Sequence, residues 1–490
     1  VRCTLIERKP EPQFLPKMER CNARTMEIFR RTGIAPRVRA AGLRADVPMD
    51  VHIIRAMNKP PLLSHAYPSV AEARRAIDAC TDGSMPLEPY QLISQYTLEP
   101  LLKSVAERLP SVTVRYGCEF LSFREVQTQV ITSTSSGTIT SKYLVGCDGG
   151  ASAVRQQLGI ALAGEGDLLR LRQGLFRCDE LFGRMPIDGG PGHGRHYHVA
   201  DERATFLIMQ DSTRHWTLHS VLERDEDMKS QFERTIGVPV KYEMLYVGEW
   251  KQNLLIAEHY GRGRVFLAGD AVHLVIPTGG LGMNSGVGDA IDLGWKLAAT
   301  LQGWGGPKLL ASYEAERLPV GARNVAASRY ASLGRRKWRA LWRDLDELVR
   351  VAEVEQRKSN EMVGAELGYR YAGSPIIADE PGGPEDDFRR YVPTTWPGAR
   401  LPHVWLEGHV AVQDCLGPGY TLLRLRRHDT SALENAMQGV PFEVADIIDE
   451  RVREIYGYDL ILLRPDLHIA WRGNRPPPDP AWLARLVTGY

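Results

Sequence analysis

Asp270, the glycines at 279, 280, 282 and 286, and Met283 and Asn284 among them are the densest group of chemistry-bearing positions in the chain. They lie in GRVFLAGDAVHLVIPTGGLGMNSGVGDAIDLGWKLAATL, Gly263 to Leu301. Val265 to Ala268 read as a buried strand, and Asp270 stands just past its carboxyl end, where open α/β sheets bind ligands. The glycines let a backbone approach a flat ligand closely. They lead into a helix on which Val287, Ile291, Gly294, Ala298 and Leu301 recur at helical spacing. The start of that helix offers unpaired N–H groups and the positive end of a dipole. Together these suit a bound group that becomes negatively charged during turnover. A purely structural Gly-rich turn accounts for the glycines, but hardly for the strand, the carboxylate and the helix start together.

Two further stretches have related chemistry. In YLVGCDGGASAVRQQLGI, Asp148 lies at a strand end, Gly149 and Gly150 turn the chain, and Ser152 can cap a helix carrying Arg155. The opening VRCTLIERKP reads as a strand with Glu7 at its tip. A dinucleotide fold uses such an acid to hold a ribose hydroxyl, roughly 20 residues after a GxGxxG loop. The expectation is therefore that a strand, a GxGxxG loop and a helix, about 30 residues in all, precede Val1, and that the sheet has an open slot beside the first strand.

The elements that position these groups form three parts. ARTMEIFRRTGI reads as a helix stopped at Gly33, and LISQYTLEPLLKSVAERL as an amphipathic helix with Leu98, Leu101, Leu102 and Val105 on one face. These alternate with strands, so 1–165 and 251–365 are expected to form one α/β domain. The span 166–250 is mostly β and reads as an inserted substrate domain. Residues 366–398 are rich in Pro, Gly and acidic groups and read as a linker, and 399–490 as a small α/β module.

Composition narrows the possible functions. In 490 residues, 61 basic and 60 acidic side chains give a net charge of +1, which favours neither nucleic acid nor an acidic surface. No apolar run reaches the roughly 18 residues of a membrane span. Seven scattered cysteines without a CxxC pair read as reduced thiols in a cytoplasmic protein. GHGRHYHV, with His193, His196 and His198, lacks a completing ligand and reads as a solvated loop entering a strand rather than a metal site.

LAGDAVHLVIPTGGLGMN, CDGGASAVR and the strand-end Glu7 occur in this order, accompanied by SQYTLEPLL and YEAERLPVG. With them the chain resembles the single-component FAD-dependent aromatic hydroxylases of the p-hydroxybenzoate hydroxylase type, in their phenol hydroxylase-like branch. The resemblance implies a Rossmann-like FAD-binding domain, a β-rich substrate domain and a C-terminal thioredoxin-like domain. It implies that Glu7, with Arg8 beside it, serves the adenosine ribose, that Gln95 lies near the flavin and its phosphates, and that Arg24 or Arg20 neutralises the pyrophosphate. LPKMERCNAR departs there from the family's Pro-Arg-Ala. Asp270 is implied for the ribityl chain, Asp148 for FAD and a passing nicotinamide, and Gly280, Gly282, Met283 and Asn284 for the flavin pyrimidine. Pro277 is implied at the reactive edge of the ring, so Pro277 and Asn284 are the expected catalytic pair.

The implied reaction consumes NADPH or NADH and O2, forms a flavin C4a-hydroperoxide, and hydroxylates a small phenolic or aromatic substrate without a metal. The alternatives are Baeyer–Villiger-type or oxidase chemistry on the same fold, and a fragment that lacks FAD and acts as a binding or scaffold protein. His273, Tyr313, Glu314 and Arg317 read as structural. His196, His198, Tyr197, His215, His219 and Tyr242 are candidates for the base that takes the ring hydroxyl proton. Cys415 is the only thiol of the C-terminal module, so packing or homodimer formation, rather than disulfide exchange, is its expected use.

Overall fold

The computed structural model describes residues 1–15 and 19–490. Two parallel strand pairs carry the first site elements. Cys3–Glu7 runs beside Val112–Tyr116, with Glu7 opposite Tyr116, and Leu144–Gly146 runs beside Val265–Leu267. The two pairs belong to separate sheets, and Val112–Tyr116 is the one hydrogen-bonded neighbour of Cys3–Glu7 among the described residues. Behind Val265–Leu267, the Gly282–Gln302 and Pro307–Arg339 helices pack Leu293 and Tyr313 into a core with Val265 and Leu267. The helix expected after Cys21 spans Ala23–Arg31, and Gly33 follows at φ +73°, a left-handed turn that only glycine adopts without strain.

The β-rich part is a seven-stranded sheet. Its five expected strands, Arg170–Arg177, His196–Val199, Phe206–Met209, His215–Ser220 and Glu243–Lys251, are all present. Its boundary is corrected, because Val51–Ile54 and Leu63–His65 complete the same sheet, with Val51–Ile54 parallel to His196–Val199. VHII is fully buried, and a short strand buried on both faces carries no local mark of the sheet it will join. One face packs Tyr197, Leu207, Trp216 and Leu218 against the Asp227–Ile236 helix. That helix was not foreseen, although Met228, Phe232 and Ile236 recur every four residues and Gly237 ends it at φ +75°.

The C-terminal module has a four-stranded sheet in the order Phe442–Asp446, Tyr420–Arg424, Leu460–Leu463, Ile469–Gly473. The first two strands are parallel and the rest antiparallel. The expected linker is not a free tether. Ile376 and Ile377 are buried, and Glu380 pairs with Arg472 at 2.6 Å. No helix among the described residues is long and apolar enough to cross a membrane.

Candidate active site

The glycine loop is built by backbone geometry that side chains would obstruct. Gly269, Gly279 and Gly280 take φ of +63°, +92° and +67°. A Cβ on Gly286 would meet the Cα of Gly269 at 3.2 Å, so the strand-end turn lies directly against the first turns of the Gly282–Gln302 helix. That helix begins without a side-chain cap or an acidic residue in its first turn. Its leading N–H groups are therefore left for a ligand. Asp270 is exposed on the 269–271 turn, and Pro277 is exposed at the head of the loop, where its carbonyl accepts the Gly280 N–H at 3.0 Å.

Buried Asp289 locks this turn to the helices. Its Oδ2 accepts the Gly269 N–H at 3.0 Å and His273 Nε2 at 2.9 Å, and its Oδ1 accepts Arg317 Nε at 2.8 Å. Burial pushes the Asp289 pKa upward, but Arg317 and His273 overcome it and hold the carboxyl below its usual range. Arg317 also donates to the Ser285 carbonyl at 3.1 Å and the Tyr371 hydroxyl at 3.2 Å. Tyr313 donates to the Leu267 carbonyl at 2.7 Å, and Glu314 accepts the Tyr260 N–H at 2.8 Å. The contacts of His273, Tyr313, Glu314 and Arg317 are therefore with the scaffold. Sequence reading missed Asp289. Its signal was the set Asp289, Asp292 and Lys296, which puts charge on the face that the helix buries.

The side chains of two expected residues are engaged elsewhere. The Asn284 side chain spends all its capacity on the scaffold. Oδ1 accepts the Asn22 N–H at 2.9 Å and the Thr25 hydroxyl at 2.7 Å, while Nδ2 donates to the Arg20 carbonyl at 3.1 Å and the Gly280 carbonyl at 2.6 Å. It staples two helix starts together and presents no free amide. Arg24 turns away from the loop, with Nη2 on the Asp466 carbonyl at 3.0 Å, because the C-terminal module packs over its helix. Arg20 is the arginine at the loop, 3.2 Å from the Gly279 carbonyl and held by Glu366 at 2.6 Å. The partly buried Met283 side chain packs against the core cluster that includes Met26 and Ile93.

The other expected residues are dispersed. Glu7 accepts the Lys9 N–H at 2.8 Å at its strand tip, and Arg8 is exposed. Gln95 opens the Gln95–Glu107 helix and lies 3.4 Å from Glu99. Asp148 accepts the Ser152 hydroxyl at 2.5 Å and the Val154 N–H at 3.1 Å, which ties it to the start of the helix that Ser152 caps through the Arg155 N–H at 2.9 Å.

The sheet supplies the second wall. His196 and His198 are buried on it, against the solvated loop expected from GHGRHYHV. His196 Nε2 donates to Glu19 at 3.0 Å, and Arg195 closes on the same carboxylate. Burial holds the His196 pKa down at about 4 despite Glu19. His219 accepts from Trp250 Nε1 at 3.2 Å, stacks on Phe206 at 4.5 Å, and is pushed down by burial to about 3. His198 lies 3.1 Å from Arg339, and burial lowers it well below its usual value. Tyr197 donates to the Gly192 carbonyl at 2.9 Å and Tyr242 to Glu233 at 2.7 Å, while His215 packs on Phe14 and Tyr96. Five of the six are hydrogen-bonded to the scaffold, while His215 makes ring contacts only among the described residues and burial lowers its pKa.

A carboxylate at a strand end, a left-handed glycine loop and an uncapped helix start define an α/β nucleotide-cofactor site of the flavoprotein kind. A family model described as "FAD binding domain" matches residues 1–328, and one described as "Aromatic-ring hydroxylase, C-terminal" matches residues 394–488. The chain belongs to the FAD-dependent aromatic-ring hydroxylases and is a flavin-dependent aromatic monooxygenase. It is 31% identical to the FAD-dependent monooxygenase apdD of Emericella nidulans over 97% of this chain and 84% of that protein. It is 33% identical to aklavinone 12-hydroxylase RdmE of Streptomyces purpurascens, over 98% of this chain and 92% of that protein.

Among solved structures, the rebeccamycin biosynthetic enzyme RebC with bound 7-carboxy-K252c superposes with a TM-score of 0.88 at 29% identity, covering 99% of this chain and 94% of that one. Aklavinone-11 hydroxylase in ternary complex with FAD and aklavinone superposes with a TM-score of 0.82 at 29% identity, covering 100% and 95%. The residues present fit FAD. The loop is open where a Cβ would intrude, the first turn of the helix carries no competing acid, and an exposed carboxylate stands at the turn.

Proposed function

We propose that this enzyme hydroxylates a phenolic polycyclic aromatic compound, using NADPH or NADH as reductant and O2 as oxygen source. The observation that carries the reading is the closeness of two walls. Arg20 touches the glycine loop, and the adjacent Glu19 bonds His196 and Arg195 of the sheet. A substrate bound on the sheet therefore lies beside the cofactor loop. The printed names of the relatives, two of them aklavinone hydroxylases, support a substrate of several fused rings.

FAD, when bound, supplies the reduction of O2 and the transfer of one oxygen atom. The remaining work belongs to the chain. The uncapped start of the Gly282–Gln302 helix stabilises negative charge on whatever faces it. Asp270 is assigned the polar side chain of the cofactor, and Pro277, exposed at the loop, its reactive edge. Glu7 is assigned the adenosine ribose and Gln95 the flavin and its phosphates, Arg20 rather than Arg24 lies near the loop, and Asp148 is assigned to FAD and the approach of the reductant. On the sheet face opposite the Asp227–Ile236 helix, the apolar patch of Phe206, Ile208 and Trp250 keeps water from the reacting ring. The order of the C-terminal strands supports a thioredoxin-like fold for that module. All seven cysteines are free, which supports a reducing, cytoplasmic setting.

The test is oxidation of NADPH and NADH by the FAD-loaded protein across a panel of mono- and polycyclic phenols under 18O2, with H2O2 measured in parallel. Stimulated oxidation with one labelled oxygen in a ring hydroxyl is expected. Label in a ring-expanded lactone would select Baeyer–Villiger chemistry instead, and H2O2 alone with every phenol would overturn hydroxylation.

A further inference from the structure

We infer that the site takes its aromatic substrate as an oxyanion, held by Arg335 and Arg339 on the Pro307–Arg339 helix. The inference rests on the reading above that the sheet is the substrate wall. Three guanidinium groups converge on the His196–Val199 and Phe206–Met209 strands. Arg195 is paired with Glu19. Arg335 has no hydrogen-bond or ion-pair partner among the described residues and lies over the Phe206 ring at 5.9 Å. Arg339 lies over the same ring at 5.3 Å and over Trp338 at 5.4 Å, and its one hydrogen bond among the described residues is with the neutral imidazole of His198, at 3.1 Å. Buried Nε atoms of Arg195, Arg335 and Arg339 and Nδ1 of His196 have no partner.

A guanidinium partly withdrawn from water without an ion-pair partner is costly. Glu19 is paired with Arg195, and Glu19 and Asp201 act on half-buried Arg335 and Arg339 only from beyond ion-pair distance, so an anion between the two completes the arrangement. Burial lowers Arg335 to about 10 and Arg339 to about 9, so both remain cationic at neutral pH. The planar fork of arginine suits an oxygen anion. The histidines beside it are neutral and bonded, so the arginine pair, rather than a histidine base, favours the ionised form of a ring hydroxyl. The anion has two possible sources, a carboxylate on the ring system or the ring oxygen itself.

Binding of 1-hydroxy-2-naphthoic acid, its methyl ester and 2-naphthol to the FAD-loaded protein, by calorimetry and ultraviolet titration, separates them. If a carboxylate is bound, the acid binds at least about tenfold tighter than the ester. If the ring oxygen is bound, bound 2-naphthol ionises at least about one pH unit below free 2-naphthol. Arg335→Gln with Arg339→Gln abolishes whichever effect is seen, Arg335→Lys retains most of it, and Arg336→Gln, exposed on the same helix, leaves it intact. Equal binding of acid and ester together with an unshifted naphthol overturns the inference. NADPH oxidation measured on the same samples reports separately on the hydroxylase reading, which fails if no phenol stimulates it even when the oxyanion preference is present.

Discussion

Arg317 donates through Nε to Asp289 Oδ1 at 2.8 Å, and both side chains are almost wholly buried. The same carboxylate holds the Gly269 N–H and His273, so one ion pair fixes the turn that presents Asp270. Asp289→Asn leaves Arg317 buried without a counter-charge, a loss of about 3–5 kcal/mol. Urea unfolding should show this loss, and the purified variant should retain less flavin, read from its visible absorbance. Unchanged stability would show that the pair does not hold the turn.

Asn284 is expected to act through the scaffold. Asn284→Ala removes four hydrogen bonds, three to the 20–25 segment and one to the Gly280 carbonyl. At about 1–3 kcal/mol for each buried group left unpaired, the total loss should reach at least about 3 kcal/mol. A variant with wild-type unfolding but slowed turnover would instead assign the amide a direct part in the reaction.

Gly286→Ala separates stability from cofactor binding. Alanine inside a helix gains about 1 kcal/mol over glycine, but its Cβ would press on Gly269 at 3.2 Å. Global stability should stay close to wild type while FAD binding weakens by about tenfold, or ~1.4 kcal/mol. Fluorescence titration of the apoprotein with FAD measures it. Unaltered affinity would mean that the turn yields without consequence.

The buried histidines set an acid limit. His196 and His219 have pKa values of about 4 and about 3 in the fold, against about 6.5 when unfolded. The unfolded chain therefore binds protons that the folded chain refuses. Their contribution is complete above about pH 6.5 and declines as pH falls toward 4, by about 1.4 kcal/mol per pH unit for each histidine. Unfolding free energies at pH 7, 6 and 5 should fall accordingly. His219→Gln, which still accepts from Trp250, should reduce the slope by one histidine's share, and an unchanged slope would exclude His219 as a contributor.

The GD turn, the glycine loop and the helix after it were legible because each is local: a strand end, glycines and an apolar period within forty residues. The strands of the sheet were legible for the same reason. What the sequence did not disclose depends on distant partners. Val51–Ile54 joins a sheet whose neighbouring strand is His196–Val199. Arg24 is turned by Asp466, 442 positions away. Asn284 reads as a loop amide facing a ligand until Asn22 and Thr25, 262 and 259 positions away, are seen to occupy it.

The turn at Arg464 has a consequence for biogenesis. Arg464 is fully buried between the two long helices, where it meets Asp292 at 2.9 Å and Glu316 at 2.6 Å, while Lys296 bridges the same two acids. Until the ribosome has released that arginine, the helix pair holds two acids against one lysine in a place meant to be dry. The packing of the cofactor domain's helix pair is therefore completed only by a residue of the C-terminal module, although most of that domain is synthesised first. The C-terminal module acts on it as a built-in folding clamp.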